Sequence, residues 1–196
     1  MAFINDQYYI NQIIEGNTNA FSVLVNQYKD LVFTLSYKML KNKEEAEEVS
    51  QDTFVKAFNS LNKFKGESKF STWIYKITYN TCLDRLKKSK KETSILYIDD
   101  FSEHQVKAIE NVLDTIDENE RNQKIQECLL LLPSEEAFLL TLYYFDDQSI
   151  EEIAKVIDCN SNNVKIKLFR SRKKLASILK AQLEPEILAY YETERR

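Results

Sequence analysis

The sequence predicts an all-α protein of two small helical units joined by an acidic segment, and three observations carry that expectation. Glycine and proline number two each among 196 residues, against an ordinary usage of about 7% and 5%. A many-stranded sheet needs turn formers at every corner, whereas long helices with few connections do not. Apolar residues recur at three- and four-residue steps along most of the chain, the period of an amphipathic helix. The charge is segregated: residues 1–91 carry 14 basic and 10 acidic groups, residues 92–123 carry 2 and 9, and residues 124–180 carry 9 and 8. These shifts divide the chain into a first unit (1–91), an acidic linker (92–121), a second unit (122–183) and an unassigned tail (184–196).

Taken in order, Ile10, Ile13 and Ile14 suggest a short first helix ending at Gly16. From Thr18 onward Phe21, Leu24, Val25, Tyr28, Leu31, Val32 and Leu35 make one apolar stripe about six turns long. Asn42 suits an N-cap with Glu45 three residues later, and Ala46, Val49, Thr53, Ala57, Phe58 and Leu61 form the inner stripe of the helix it opens. The period fails between Lys65 and Lys69, where Gly66 stands, so a loop is expected, with Ser71 capping the next helix. That helix turns Ile74, Ile77, Thr78 and Cys82 inward. Residues 92–120 lack a long apolar face and read as linker with at most one short helix. In the second unit Ile125, Cys128, Leu129 and Leu132 make a helix stopped near Pro133, and Ser134 opens another. Ser149 and Glu152 form a capping box, because each satisfies an orphan amide of the other. After the turn Asp158-Cys159, Asn160 caps a last long helix that faces Val164, Leu168, Ser171, Leu175 and Ile178 inward.

Composition excludes several functions. With only Gly16 and Gly66, neither a P-loop nor a dinucleotide fingerprint can be built. Cys82, Cys128 and Cys159 are odd in number, widely spaced and without a C-x-x-C pair, which argues for small buried residues in a reducing compartment over a disulfide framework or zinc site. His104, the single histidine, has no partner ligand nearby. No catalytic, metal-binding or cofactor-binding constellation emerges. No apolar run approaches the roughly 18 residues of a membrane span, and the N-terminus lacks a signal pattern, so a cytoplasmic protein is expected.

Two constellations carry chemistry. A short capped helix, a tight turn and a long helix are the parts of a helix-turn-helix. From Cys159 through Leu183 there is no acid against seven bases, including Lys165, Lys167, Arg170, Lys173 and Lys174. A one-sign helix in that position points to phosphate binding. Asn162, Asn163, Ile166, Lys167 and Arg170 lie near its start on the outer side, where base edges would be met. In the first unit Lys76, Asn80, Asp84 and Lys87 share a helix face, followed by Lys88, Lys90 and Lys91, with Trp73, Tyr75 and Tyr79 interleaved. Aromatics beside cations suit stacking on unpaired bases, although Trp73 fits a core position equally well. Glu48, Gln51, Asp52 and Val55 make an outward face on the preceding helix that would serve as a solvated or a binding surface.

The stretches AEEVSQDTFVKAF (46–58) and FKGESKFSTWIYKITYNTCLDRLKK (64–88) resemble region two of the extracytoplasmic-function (ECF) RNA polymerase sigma factors, and LLLLPSEEAFLLTLYYFDDQSIEEIAKVIDCNSNNVKIKLFRSRKKL (129–175) is similar to their region four. The resemblance implies an initiation factor whose partners are core RNA polymerase, promoter DNA and an anti-sigma factor, with no membrane insertion. It implies docking on the polymerase clamp through Glu48, Gln51, Asp52 and Val55. It implies capture of a flipped −10 base by the loop at Phe64, Lys65, Ser68, Lys69 and Phe70, with Trp73, Lys76, Asn80, Lys87 and Lys88 holding that element. Asn162, Asn163, Lys165, Ile166, Lys167, Arg170, Lys173 and Lys174 would bind the −35 element. The acidic linker would thread toward the RNA exit channel. The family usually has glycine where Asp158 stands, Gly-Thr at Asn162-Asn163 and Ser-Arg at Ile166-Lys167, so the −35 preference does not carry over. Two rivals remain: a stand-alone helix-turn-helix regulator, which would not need the aromatics at Phe64 and Trp73, and a helical adaptor, which leaves the acid-free helix unexplained.

Overall fold

The computed structural model describes residues 5–89 and 118–182. Among them the chain is helical, with no strand. The first unit contains α1 (Asp6–Ile14), α2 (Phe21–Leu40), α3 (Lys43–Ser60) and α4 (Phe70–Ser89). The second contains α5 (Glu118–Leu131), α6 (Ser134–Phe145), α7 (Ile150–Val156) and α8 (Ser161–Gln182). Most of the acidic linker, His104, Lys90, Lys91 and the tail lie outside the described residues.

Local chemistry sets the helix ends. The Asn5 side chain accepts from the Tyr8 amide to open α1, and Asn42 accepts from Glu45 N at 2.8 Å to open α3. Helix α2 stops where Lys41 turns left-handed, at φ 56°. Pro133 ends α5 and starts α6, its carbonyl receiving the amides of Glu136 and Ala137.

Two helix boundaries and two stripe residues differ from expectation. Helix α5 starts at Glu118, inside the segment expected as linker to residue 121. Helix α4 starts at Phe70, so Ser71 lies within its first turn and is no cap; the Trp73 amide reaches back to the Lys69 carbonyl instead. Two stripe members are solvent-facing: Ile14, the last residue of α1, and Phe58, which rests edge-on against Phe21.

The core is continuous. Leu24, Val32, Leu35, Val49, Ile74 and Cys82 of the first unit belong to the same buried cluster as Leu129, Leu132, Phe138, Leu142, Ile153 and Val164 of the second. Helix α2 packs on α6 and α4 packs on α7, so the units form one body.

Candidate nucleic-acid interface

In the second unit, α7 is short enough to need its cap. Ser149 Oγ accepts from the Glu152 amide at 3.2 Å, and Glu152 Oε2 accepts from the Ser149 amide at 2.9 Å. The chain then turns at Asp158, whose φ of 55° is left-handed, a conformation that Asp tolerates better than most residues. Asn160 accepts from the Asn163 amide at 2.8 Å and starts α8. Val164, Leu168, Ser171 and Leu175 face inward. That registration leaves Asn162, Asn163, Lys165, Ile166, Lys167 and Arg170 exposed together on the outer side. Lys173 sits over the exposed Phe169 ring at 4.8 Å. Lys174 departs from the expected phosphate role: it is bonded to Glu136 of α6 and largely covered. Lys167 lies 3.7 Å from Glu135 but remains half exposed.

In the first unit, the loop between α3 and α4 is held by aromatic packing. The rings of Phe64, Phe70 and Trp73 contact one another at 5.7, 5.3 and 5.6 Å, and Tyr28 lies 5.4 Å from Phe70. Phe70 is buried and supports the loop from below, and Trp73 is half-buried against the same core. Tyr75 and Tyr79 are buried too, which removes them as stacking platforms: α4 faces α2 and the second unit on that side. Lys65 and Lys69 stay exposed and Ser68 half-exposed around Gly66, whose φ of 73° needs a residue without Cβ. Along α4, Asn80, Lys87 and Lys88 are exposed and Lys76 is half-exposed. On α3, Gln51, Asp52 and Val55 point to solvent, and Glu48 does so while paired with Arg85.

The seam between the units has no signature in the local sequence pattern. Lys38, at 4% exposure, donates to the Gln126 carbonyl at 2.6 Å, and Lys41 donates to the Leu132 carbonyl at 2.7 Å. One bond lands on a carbonyl within α5 and the other just past its end, so both tie the end of α2 to α5 and the turn that follows it. Burial pushes the Lys38 ammonium down to about 8 and lowers Lys41 as well. Tyr79 stacks at 5.1 Å from Phe138. Beneath Tyr75, burial raises the Asp146 carboxyl to about 6, although bonds from Tyr75 and Gln148 pull it back. Burial likewise raises the Tyr75 and Tyr28 hydroxyls. Lys69 of the loop pairs with Glu152 of α7 at 2.7 Å. Burial opposes ionisation of Glu152, but the Lys69 and Ser149 bonds outweigh it and hold the carboxyl below its usual range. Cys82 and Cys128 are buried free thiols, pushed up to about 12 and 11 by burial, while Cys159 is half-exposed.

Residues 24–92 match the family Sigma-70 region 2, and residues 122–175 match Sigma-70, region 4. The chain is 30% identical over 177 residues to the ECF RNA polymerase sigma factor SigW of Bacillus subtilis, covering 87% of this chain and 95% of that protein. It is 29% identical over 184 residues to the RNA polymerase sigma-H factor of Pseudomonas aeruginosa, covering 91% and 95%. Among solved structures, the fold is similar to CnrH in complex with the cytosolic domain of CnrY, with a TM-score of 0.55 at 22% identity over 90% of this chain and 98% of that one. It is similar also to the sigma factor RpoE in complex with the anti-sigma factor NepR from Bartonella quintana, with a TM-score of 0.61 at 17% identity over 83% and 98%. A stand-alone regulator or an adaptor has no reason to carry both regions in this order. The chain therefore belongs to the ECF RNA polymerase sigma factors, transcription initiation factors that direct polymerase to promoters and are not enzymes.

Proposed function

We propose that the two units divide promoter recognition: the first holds core polymerase and captures the −10 element, and the second reads the −35 element. The observation that carries this reading is α8, a helix without an acid that presents Asn162, Asn163, Lys165, Ile166 and Arg170 outward behind a capped α7. Polar side chains near a recognition-helix start reach base edges, and the following cations reach phosphates. Loop 64–69 has the complementary chemistry for a single strand, with cations around an aromatic-lined rim. Holding an unstacked base there offsets the few kcal/mol that unstacking costs. Gln51, Asp52 and Val55, with Glu48, are assigned to the polymerase clamp. The protein would act in the cytoplasm, where polymerase works, and no described helix is long and apolar enough to cross a membrane. Because the two solved relatives are complexes with a cytosolic domain and with an anti-sigma factor, an anti-sigma protein is assigned as a regulator here.

The test is transcription by core polymerase with and without the protein on sheared genomic DNA, mapping the 5′ ends made. New start sites with a shared upstream sequence are expected. Gln51→Ala with Asp52→Ala should weaken core association with unchanged circular dichroism. Unaltered start sites would overturn the reading, and equal core affinity would remove the clamp assignment.

A further inference from the structure

The outer crest of α8 carries an apolar residue among polar ones. Ile166 stands two positions past Val164 and two before Leu168, both buried. At about 100° per residue, that spacing points it diametrically away from the core. It is 49% exposed. Asn162 and Asn163 lie one turn earlier on the same face and Arg170 one turn later, all of them exposed. The neighbouring side chains are drawn elsewhere. Lys167 leans toward Glu135 of α6 at 3.7 Å, and the exposed Phe169 ring has Lys173 over it at 4.8 Å. A solitary exposed apolar side chain is ordinary on a protein surface. On a crest assigned to the major groove, however, its partner is a base edge.

Base edges in that groove present donors and acceptors, and their one apolar group is the C5 methyl of thymine. Over cytosine, isoleucine would cover the N4 amino donor and offer it no acceptor, and a covered donor without a partner is costly. Over thymine the side chain buries against the methyl. One methylene-sized group is worth about 0.8 kcal/mol, or roughly fourfold in affinity. Branching at Cβ leaves isoleucine one strongly preferred χ1 in a helix, so its aim is set before DNA arrives and little freedom is lost on contact.

We propose that Ile166 is a thymine reader: it selects the −35 element through the 5-methyl group of one thymine, an apolar contact set among the polar ones of Asn162, Asn163 and Arg170. The inference rests on the assignment of α8 to the −35 element.

The test uses holoenzyme formed with the full chain and the −35 duplex it selects from a randomised library. Each thymine on either strand is replaced in turn by uracil, which removes the methyl and keeps the pairing edge. At one position the parent should lose about fourfold in affinity. There Ile166→Ser should bind the thymine and uracil duplexes alike, while Ile166→Val keeps most of the difference. Because the position is exposed, both variants should retain the parent's circular dichroism. A selected element without thymine, a parent indifferent to every replacement, or an Ile166→Ser variant as sensitive as the parent would overturn the thymine reading. If the library yields no preferred −35 sequence at all, the assignment of α8 itself fails, and this inference with it.

Discussion

Asp146 is a carboxylate placed where a charge is unwelcome. It follows the last residue of α6 under Tyr75, and burial holds its proton up to about 6, above the ordinary carboxyl value of 3.8. An acid whose folded pKa is raised binds more protons folded than unfolded between those values, so its contribution to stability falls as pH rises from about 4 to about 6. Above that window the charged form is a standing penalty of about 1–2 kcal/mol, after discounting the shift for partial exposure. Asp146→Asn keeps an acceptor for Tyr75 without the charge. It should therefore stabilise the protein by about that amount at pH 7.5, the gain shrinking as pH falls through 6 toward 4. Urea unfolding of parent and variant across that range checks it, and a gain constant with pH would sink it. Residues of this kind were illegible in the sequence. Nothing in the local periodicity marks Asp146 or Lys38, because it does not say what distant segment will cover them. Tyr75 and Tyr79 misled for the converse reason: aromatics among lysines look like a stacking face, yet the second unit packs on that side of α4.

Helices were more legible, because their ends are written in local chemistry. Ser149 with Glu152 and the cap at Asn160 mark the starts of α7 and α8 in the sequence itself, and both caps form. The start of α4 was missed because its first turn is held by the aromatic cluster at Phe64, Phe70 and Trp73, with no capping side chain at Ser71. The start of α5 was missed because acids dominate its first residues and hide its period. Position along α8 separates two jobs. Arg170→Ala should cost about 1–3 kcal/mol on the preferred −35 sequence and little on others, as the loss of a base contact does. Lys173→Gln, further along and beside Phe169, should weaken every sequence alike and lower the salt slope by about one unit. A randomised −35 library bound by holoenzyme separates them; an Arg170 variant that loses affinity evenly would reduce that residue to backbone contact.

At the scale of the whole molecule, the two units marked out by the acidic linker are present, and the linker left open how they meet; among the described residues they share one core. The division survives in the order of the helices, while the core runs from Leu24 and Leu35 to Phe138 and Leu142 without a gap. A shared core makes unfolding cooperative, so the free protein should melt in a single calorimetric transition whose van't Hoff and calorimetric enthalpies agree. Two resolved transitions would mean the seam contributes little. The missing acids of α8 have a last consequence, and it concerns arrival. With a net charge of −4, the protein is repelled by a polyanion at a distance. Within a screening length of about 8 Å at physiological salt, only the nearest charges are felt. Approaches that lead with an acidic helix are turned away, and those that lead with α8 are drawn in, so the helix acts as a rudder during diffusion, setting the orientation of first touch before it reads a base.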